Sequence, residues 1–204
     1  MRCSRPFPPT LSRAAVHEPQ RSTLLSGQIF VIAGPSGVGK GSIASALRGR
    51  LPDLWLSRSW TTRPVRNGES NDAYVFVDPA AFEAQVAAGG FLEWAEVFGH
   101  RYGTPWPEPP TGHDVLLEID VQGAGQVRGR HPEAVVVFVE APSRHAQEDR
   151  LRGRGDRDDL IARRLAAAPE EERTGRALAD HVVVNDDLGR AIDEVAAILE
   201  SRRR

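Results

Sequence analysis

A glycine-rich run at residues 34–42 carries the strongest chemical signal in the chain. It consists of Gly34, Pro35, Ser36, Gly37, Val38, Gly39, Lys40, Gly41 and Ser42. The glycines let the backbone turn several N–H groups into one concavity, and a helix that starts behind such a loop adds the positive end of its dipole. Lys40 is the only lysine among 26 basic residues, and its flexible ammonium is suited to reach β- and γ-phosphate oxygens. The run therefore predicts a phosphate-binding loop.

Two residues near this loop carry oxygen atoms that could bind a cation. Loops of this type usually have Ser or Thr directly after the lysine, where the hydroxyl reaches a phosphate-bound Mg²⁺. Gly41 occupies that place here, and Ser42 follows it. Glu118 ends an apolar strand pattern, from which a carboxylate can reach the same cation. Ser42 and Glu118 are therefore the predicted Mg²⁺ ligands.

A second polar segment is centred on Arg63 and Arg66. Both side chains are permanent cations that can fork onto phosphate oxygens, and the alternative interpretation is a surface ion pair with Glu69. Residues 59–69 together with Tyr74 resemble the nucleotide-acceptor segment of guanylate kinases. Further segments match in the family's order, between about residues 28 and 200, at 91–94, 101–104, 117–123, 150–155 and 184–187.

The resemblance implies a role for each matching polar residue. Those that it places around GMP are Ser59, Arg63, Arg66, Glu69, Tyr74, Glu93, Tyr102, Thr104 and Asp120. Those that it assigns to catalysis are Lys40, Arg63, Arg154 and Arg164. Glu93 could accept both N1–H and the exocyclic amine of guanine, whereas adenine presents an acceptor at N1. Asn185 matches the family's residue near the adenine of ATP, and a helix-capping asparagine is its alternative.

The implied activity is phosphoryl transfer from MgATP to GMP, and to dGMP, giving ADP and the nucleoside diphosphate. Two other functions stay open on the same fold. A kinase for another small phosphorylated substrate would not need Glu93, Tyr102 and Thr104 together. A phosphopeptide-binding module would need neither Lys40 nor the arginines of the lid. The expected cofactor is Mg²⁺, the expected partners are ATP and GMP, and the choice between monomer and homo-oligomer is open.

Short apolar runs alternate with helical patterns and must position these residues. The predicted strands are 29–33, 115–119, 134–139 and 182–184. Asp78 before Pro79 is typical of a helix start, and Gly89 with Gly90 of its end. A last helix is predicted from the apolar stripe Leu188, Ile192, Val195 and Leu199. The alternation predicts an α/β protein whose parallel sheet is covered on both faces, which fits a P-loop kinase with an acceptor lobe and a short lid.

Domain boundaries follow from composition and from the matching segments. Residues 1–26 contain clustered prolines and arginines and predict a disordered tail, followed by a guanylate kinase-like domain at 27–204. The acceptor lobe is expected at about 60–112 and the lid at about 152–166. The sequence departs from the family by a shorter segment between Gly68 and Tyr74 and by prolines in 105–112 that exclude a helix there. Pro169 is expected to interrupt a helix.

Composition excludes several other classes of protein. The balance of 26 basic against 28 acidic residues gives a net charge of −2, which argues against a nucleic-acid binder. Arginines cluster between residues 150 and 164, a pattern typical of a solvated helix face or of an RNA-binding patch. The interleaved residues Asp149, Asp156, Asp158 and Asp159 argue against RNA binding. An apolar run of about 18 residues, long enough to span a membrane, does not occur. The single cysteine, Cys3, allows no internal disulfide, fits a reducing compartment and predicts a cytoplasmic protein.

Overall fold

The computed structural model describes residues 27–66 and 68–203, so the predicted tail at 1–26 lies outside the described residues. The strands are β1 (Ile29–Ala33), β2 (Leu54–Leu56), β3 (Trp60–Thr61), β4 (Val75–Phe76), β5 (Phe91–Val97), β6 (His100–Pro105), β7 (Asp114–Glu118), β8 (Val135–Glu140) and β9 (His181–Val184). The helices are α1 (Lys40–Arg50), α2 (Pro79–Ala87), α3 (Val121–Arg130), α4 (Arg144–Gly153), α5 (Asp158–Leu178) and α6 (Leu188–Arg202). Among these helices, none is long and apolar enough to cross a membrane.

The main sheet contains five parallel strands in the order β2-β7-β1-β8-β9. Every residue of β1 and β8 is buried, because helices cover both faces. On one face Ile43 of α1 and Val195 of α6 join one apolar core, and on the other face Val127 of α3 joins a second. The predicted α/β architecture with a parallel, doubly covered sheet is confirmed.

A smaller sheet, in the order β4-β3-β6-β5, lies entirely within residues 60–112. β6 pairs antiparallel with both β3 and β5, and α2 packs against this sheet. The Phe82 ring of α2 stacks on Phe91 with ring centroids 4.7 Å apart, and Trp60 meets Phe91 edge-on at 5.7 Å. This aromatic group gives the second sheet a core of its own, which holds it as a lobe beside the main sheet.

Local signals set the start of α2 as the sequence predicts. The Asp78 side chain accepts a hydrogen bond from Ala81 N at 2.8 Å, and Pro79 occupies the first helical position. Residues 106–112 form no helix, as their prolines require. The stripe on α6 is only partly correct, because Leu188 is 44% exposed while Ala191, Val195 and Leu199 are buried.

Pro169 does not interrupt its helix, contrary to the sequence prediction. α5 runs unbroken from Asp158 to Leu178 with Pro169 inside it. Ile161 and Ala168 are buried before the proline and Gly175 after it, and a Cβ on Gly175 would lie 2.0 Å from the Phe138 ring. Burial of the helix on both sides of the proline, against Phe138 of the sheet after it, outweighs the hydrogen bond that the proline cannot make.

Candidate active site

A cavity of about 1030 Å³ opens between the carboxyl ends of the parallel strands and the smaller sheet. The residues singled out from the sequence that line it are Ser36, Gly37, Gly39, Lys40, Gly41, Ser42, Ser59, Arg63, Arg66, Glu69, Tyr74, Glu93, Tyr102, Glu118, Asp120, Arg154, Arg164 and Asn185. Four others do not line it but support those that do, namely Gly34, Pro35, Val38 and Thr104. The fold thus brings the two predicted groups of residues to one space.

The phosphate-binding loop connects β1 to α1, as predicted. Gly37 and Gly39 have φ angles of 85° and 100°, a backbone conformation that residues other than glycine rarely adopt. Lys40 begins α1, and its Nζ donates to the carbonyl oxygens of Gly34 at 2.7 Å and Pro35 at 3.1 Å. Burial lowers the pKa of Lys40, although nearby carboxylates act to raise it, Glu118 most strongly.

Asn185 supports this loop from behind. Its Nδ2 donates to Val38 O at 2.7 Å, and a Cβ on Gly39 would lie 2.3 Å from that nitrogen. Its side chain does not cap α6, because the cap is Asp187, so the alternative offered by the sequence is wrong. Asn185 Oδ1 is buried and has no hydrogen-bond partner among the described residues, which leaves an acceptor at the cavity wall.

Ser42 and Glu118 can be tested as Mg²⁺ ligands on the structure. Both line the cavity beside Lys40, and Glu118 Oε2 would lie 3.7 Å from a Cβ placed on Gly41. A hydroxyl and a carboxylate are hard oxygen donors of the kind that Mg²⁺ takes alongside phosphates and water. Within the described ranges no three or more His, Cys, Asp and Glu side chains form a group that could hold a metal ion. The pair therefore fits a cation held largely by nucleotide phosphates.

Arg63 and Glu69 form the ion pair that the sequence offered as an alternative, but the pair is not on the surface. Their side chains are 4% and 15% exposed, and Arg63 donates to both carboxylate oxygens of Glu69. Glu69 also accepts from Arg66 N at 3.1 Å, while Arg63 lies 4.9 Å over the Tyr74 ring. Burial opposes the charged form of Arg63, but the hydrogen bonds that it donates to Glu69 raise its pKa. The carboxylate therefore fixes both arginine segments at the cavity.

Glu93 lies on β5, 3% exposed, with its side chain at the cavity. Thr104 on β6 donates its hydroxyl hydrogen to Glu93 Oε1 at 2.5 Å. Ser59 Oγ lies 3.1 Å from Thr104 Oγ1, and it donates to that oxygen because the Thr104 hydrogen is already used. Burial raises the pKa of Glu93 to about 7. A buried carboxyl with one side held by a hydroxyl chain can present its remaining lone pairs to hydrogen-bond donors.

Asp120 caps α3, a role that the sequence did not predict for it. Its Oδ1 accepts from Gln122 N at 2.7 Å and from Gly123 N at 3.0 Å, whereas Oδ2 takes part in neither bond. Gly123 in turn lies against the Glu93 carboxylate, since a Cβ there would be 2.4 Å from Oε2. The start of α3 therefore forms one wall of the Glu93 position.

Arg154 reaches the cavity from the turn between α4 and α5, and Arg164 reaches it from α5. Arg164 donates to Ser36 Oγ of the phosphate-binding loop and lies 4.9 Å over the Phe98 ring. Arg154 pairs with Asp156 at 2.5 Å. The arginine-rich stretch is therefore not only a solvated surface.

Sequence reasoning did not select three residues that build this site. Arg150 donates to Val38 O at 3.2 Å and to Asn185 O at 2.7 Å. Buried Gln147 donates to Ser36 O at 2.7 Å, and Asp156 pairs with arginines of the cavity. Arg150 stood in a matching segment and could have been found there, but Gln147 and Asp156 carried no signal apart from their place in a helix and in a charged run.

The parallel sheet, the phosphate-binding loop at its edge and the appended lobe together define a P-loop kinase fold. The chain belongs to the guanylate kinase family, whose sequence model matches residues 26–202. It is 48% identical over 183 residues to a guanylate kinase of Symbiobacterium thermophilum, covering 87% of this chain and 86% of the relative. It is 46% identical over 185 residues to one of Nitrosococcus oceani, covering 88% and 91%. A crystal structure of guanylate kinase from Anaplasma phagocytophilum matches with a TM-score of 0.71 and 31% identity, covering 87% of this chain and 86% of that one.

Proposed function

We propose that the protein transfers the terminal phosphoryl group of ATP to GMP, giving ADP and GDP. One observation carries this proposal: Lys40 of the phosphate-binding loop and the buried Glu93 carboxyl line the same cavity. The first supplies a positive group for triphosphate oxygens, and the second supplies an acceptor for a base. A site that holds both can set two nucleotides end to end, which is most of what phosphoryl transfer requires of a protein.

At the acceptor end, Glu93 selects guanine. Its carboxylate accepts N1–H and the exocyclic amine together, while adenine would turn a lone pair toward it. Thr104 keeps the carboxylate in place through its hydroxyl, and Asp120 adds an oxygen beside it. An unpaired buried acceptor costs about 1–3 kcal/mol, so adenine binds more weakly than guanine because it leaves the carboxylate without a donor.

The phosphate of GMP binds between the smaller sheet and the phosphate-binding loop. Its ligands are proposed to be Ser59, Arg63, Arg66, Tyr74 and Tyr102, with Glu69 holding the two arginines. Ser59 must turn its hydroxyl hydrogen from Thr104 Oγ1 to a phosphate oxygen when GMP binds. The two terminal nitrogens of Arg63 donate to Glu69, while its Nε is buried and has no hydrogen-bond partner among the described residues. That nitrogen is a donor available to a phosphate oxygen.

At the donor end, the loop N–H groups and Lys40 hold the triphosphate, and Asn185 Oδ1 accepts from the adenine amine. Lys40 must leave its two carbonyl partners in the loop to reach phosphate oxygens. Arg154 and Arg164 bind the transferring phosphoryl group, where their charge counts most in the transition state. Closure of the lobe and the lid keeps water away from that group.

Ser42 and Glu118 are the proposed protein ligands of Mg²⁺. The chemistry that Mg²⁺ supplies when bound is neutralisation of charge on the phosphate oxygens of ATP. Ser42 offers its hydroxyl from the first turn of α1, and Glu118 offers a carboxylate from the end of β7. The single cysteine in the chain suits the reducing cytoplasm, where we place the reaction.

An ADP-release assay with GMP, AMP, CMP and UMP tests this function. Turnover with GMP should exceed turnover with the other three by at least about 100-fold in kcat/KM, since the base is read by buried hydrogen bonds. Comparable turnover with another monophosphate would show that the site does not select guanine, and a higher kcat/KM with another one would replace GMP as the proposed substrate. Absence of turnover with all four would refute the kinase and leave a phosphopeptide-binding module as the better interpretation.

A further inference from the structure

Asp156 lies in the turn between α4 and α5, and its side chain is only 3% exposed. The turn holds it rigidly, because Asp156 N donates to Leu151 O at 3.2 Å and Gly155 N donates to Arg152 O at 2.9 Å. Three arginines from different parts of the chain surround the carboxylate, although it carries one charge against their three.

The three arginines approach Asp156 unequally. Arg154 donates from Nε to Oδ1 at 3.2 Å and from its Nη2 to Oδ2 at 2.5 Å. Arg164 Nε lies 3.4 Å from Oδ2, and Arg66 Nε lies 3.8 Å from Oδ1. Arg66 and Arg164 therefore face the carboxylate with the Nε edge, which leaves Nη2 of Arg164 and both terminal nitrogens of Arg66 outside these contacts.

This arrangement joins three parts of the active site. Arg66 belongs to the acceptor lobe, Arg154 to the turn, and Arg164 to the helix that also contacts Ser36 of the phosphate-binding loop. Each of the three lines the cavity. Although burial opposes it, the hydrogen bond from Arg154 and the charges of all three arginines lower the pKa of Asp156, so the carboxylate stays ionised at neutral pH.

We infer that Asp156 is a positioning residue, which gathers Arg66, Arg154 and Arg164 around the path of the transferred phosphoryl group. This inference rests on the proposed function for the group that passes along that path. Without the carboxylate, three cations so close together would repel one another and spread. Guanidinium forks that are already aimed lose little order when charge develops on the phosphoryl oxygens.

The variants Asp156→Asn and Asp156→Glu test this role, with Asp158→Asn as the matched control. Asp158 belongs to the same segment but is 84% exposed and pairs only with Arg152 among the described residues. Three quantities are compared: kcat with GMP and ATP, the Kd of GMP by calorimetry without ATP, and amide hydrogen exchange of residues 153–157 without nucleotide.

Asp156→Asn should lower kcat by roughly 10- to 100-fold, because the loss falls on the transition state. The Kd of GMP should change by less than about threefold, because Arg66 makes the longest of the three contacts with Asp156 and Glu69 still holds its backbone. Exchange at residues 153–157 should become faster in Asp156→Asn and stay unchanged in Asp158→Asn. Asp156→Glu, which keeps the charge, should recover part of the lost kcat.

A kcat of Asp156→Asn within twofold of wild type, or above it, would overturn the inference, as would a Kd of GMP that weakens in parallel with kcat. Unaltered amide exchange would also overturn it, because the carboxylate would then not order the turn. Failure of the proposed function looks different, since wild type itself would release no ADP with GMP. In that case the exchange data alone would still show whether Asp156 orders the turn, while its catalytic part would be refuted.

Discussion

Glu93 and Thr104 are directly paired across β5 and β6, and the Thr104 hydroxyl donates to Glu93 Oε1 at 2.5 Å. The ladder itself therefore fixes the orientation of a buried carboxyl at the cavity. Gly123 of α3 closes the opposite side, where even a methyl group would touch Oε2. A carboxyl held between a strand and a helix start is preorganised for the base-reading role proposed for it, because it would lose little freedom when a base binds.

Replacing Glu93 by Gln should alter base choice. The shape is kept, but an amide N–H then faces a guanine donor, which leaves a buried N–H unpaired at a cost of about 1–3 kcal/mol. We expect kcat/KM for GMP to fall by about 10- to 1,000-fold, with the Kd of ATP little changed. AMP should gain relative to GMP, because an amide can donate to adenine N1. An unchanged ratio of the two specificity constants would make Glu93 structural.

Binding of GMP should depend on pH through Glu93, whose pKa is raised by burial to about 7. Guanine donates to the ionised carboxylate, so the competent fraction grows as pH rises, and the KM for GMP should fall about tenfold between pH 6 and pH 8. The phosphate of GMP also ionises near pH 6. Glu93→Gln shares that second titration and serves as the control, and identical profiles for the two proteins would contradict the prediction.

The same shift has a consequence for stability. The folded-state pKa of about 7 lies above the ordinary 4.5, so the folded protein binds the proton more tightly than the unfolded chain does. Wild type therefore loses stability as pH rises from about 4.5 to 7. Glu93→Gln escapes this loss, and its gain in unfolding free energy over wild type should be larger at pH 8 than at pH 5 by about 2 kcal/mol. Urea unfolding at both pH values measures it, and equal differences would show that burial does not shift this group.

Gly123→Ala should weaken GMP binding without direct contact to the nucleotide. A Cβ at this position would lie 2.4 Å from Glu93 Oε2, whereas one at Gly129 in the same helix meets nothing within 4 Å. Gly129→Ala is the control and should be neutral, or more stable by about 0.5–1 kcal/mol. We expect the KM for GMP to rise at least about tenfold in Gly123→Ala alone, since a small displacement at a reacting site is costly. Equal kinetics for both variants would show that Glu93 moves aside freely.

Parts of this molecule were predictable because their signals are local. The phosphate-binding loop, β1, the start of α2 and the parallel sheet all follow from short runs of sequence, and the structure places them as expected. β3 and β4 are two residues long each, too short for an alternating pattern, so the smaller sheet could not be predicted from periodicity. It forms because pairing with the longer β6 holds it.

Asp156 shows why other features escaped sequence reasoning. In the sequence it is one of several aspartates between arginines, a pattern typical of a solvated surface. In the fold it is buried, and one of its partners, Arg66, lies about ninety positions earlier in the chain. Pro169 departs from its local preference for a related reason, since tertiary packing keeps α5 unbroken through it.

Ser42→Ala should raise the Mg²⁺ concentration needed for half-maximal activity, because it removes the hydroxyl that is proposed to bind the cation. That hydroxyl stands one position after its usual place behind the lysine. The effect should be several-fold rather than complete, as a hard cation at this site takes most of its ligands from phosphates and water. Binding of GMP without ATP should be unchanged, since Ser42 lies in the first turn of α1, whereas Glu93 lies on β5 of the smaller sheet. The measurement is a magnesium titration of activity at fixed ATP, with Ser201→Ala on α6, which does not line the cavity, as control. A curve that superimposes on that of wild type would remove Ser42 from the cation site and leave Glu118 as its protein ligand.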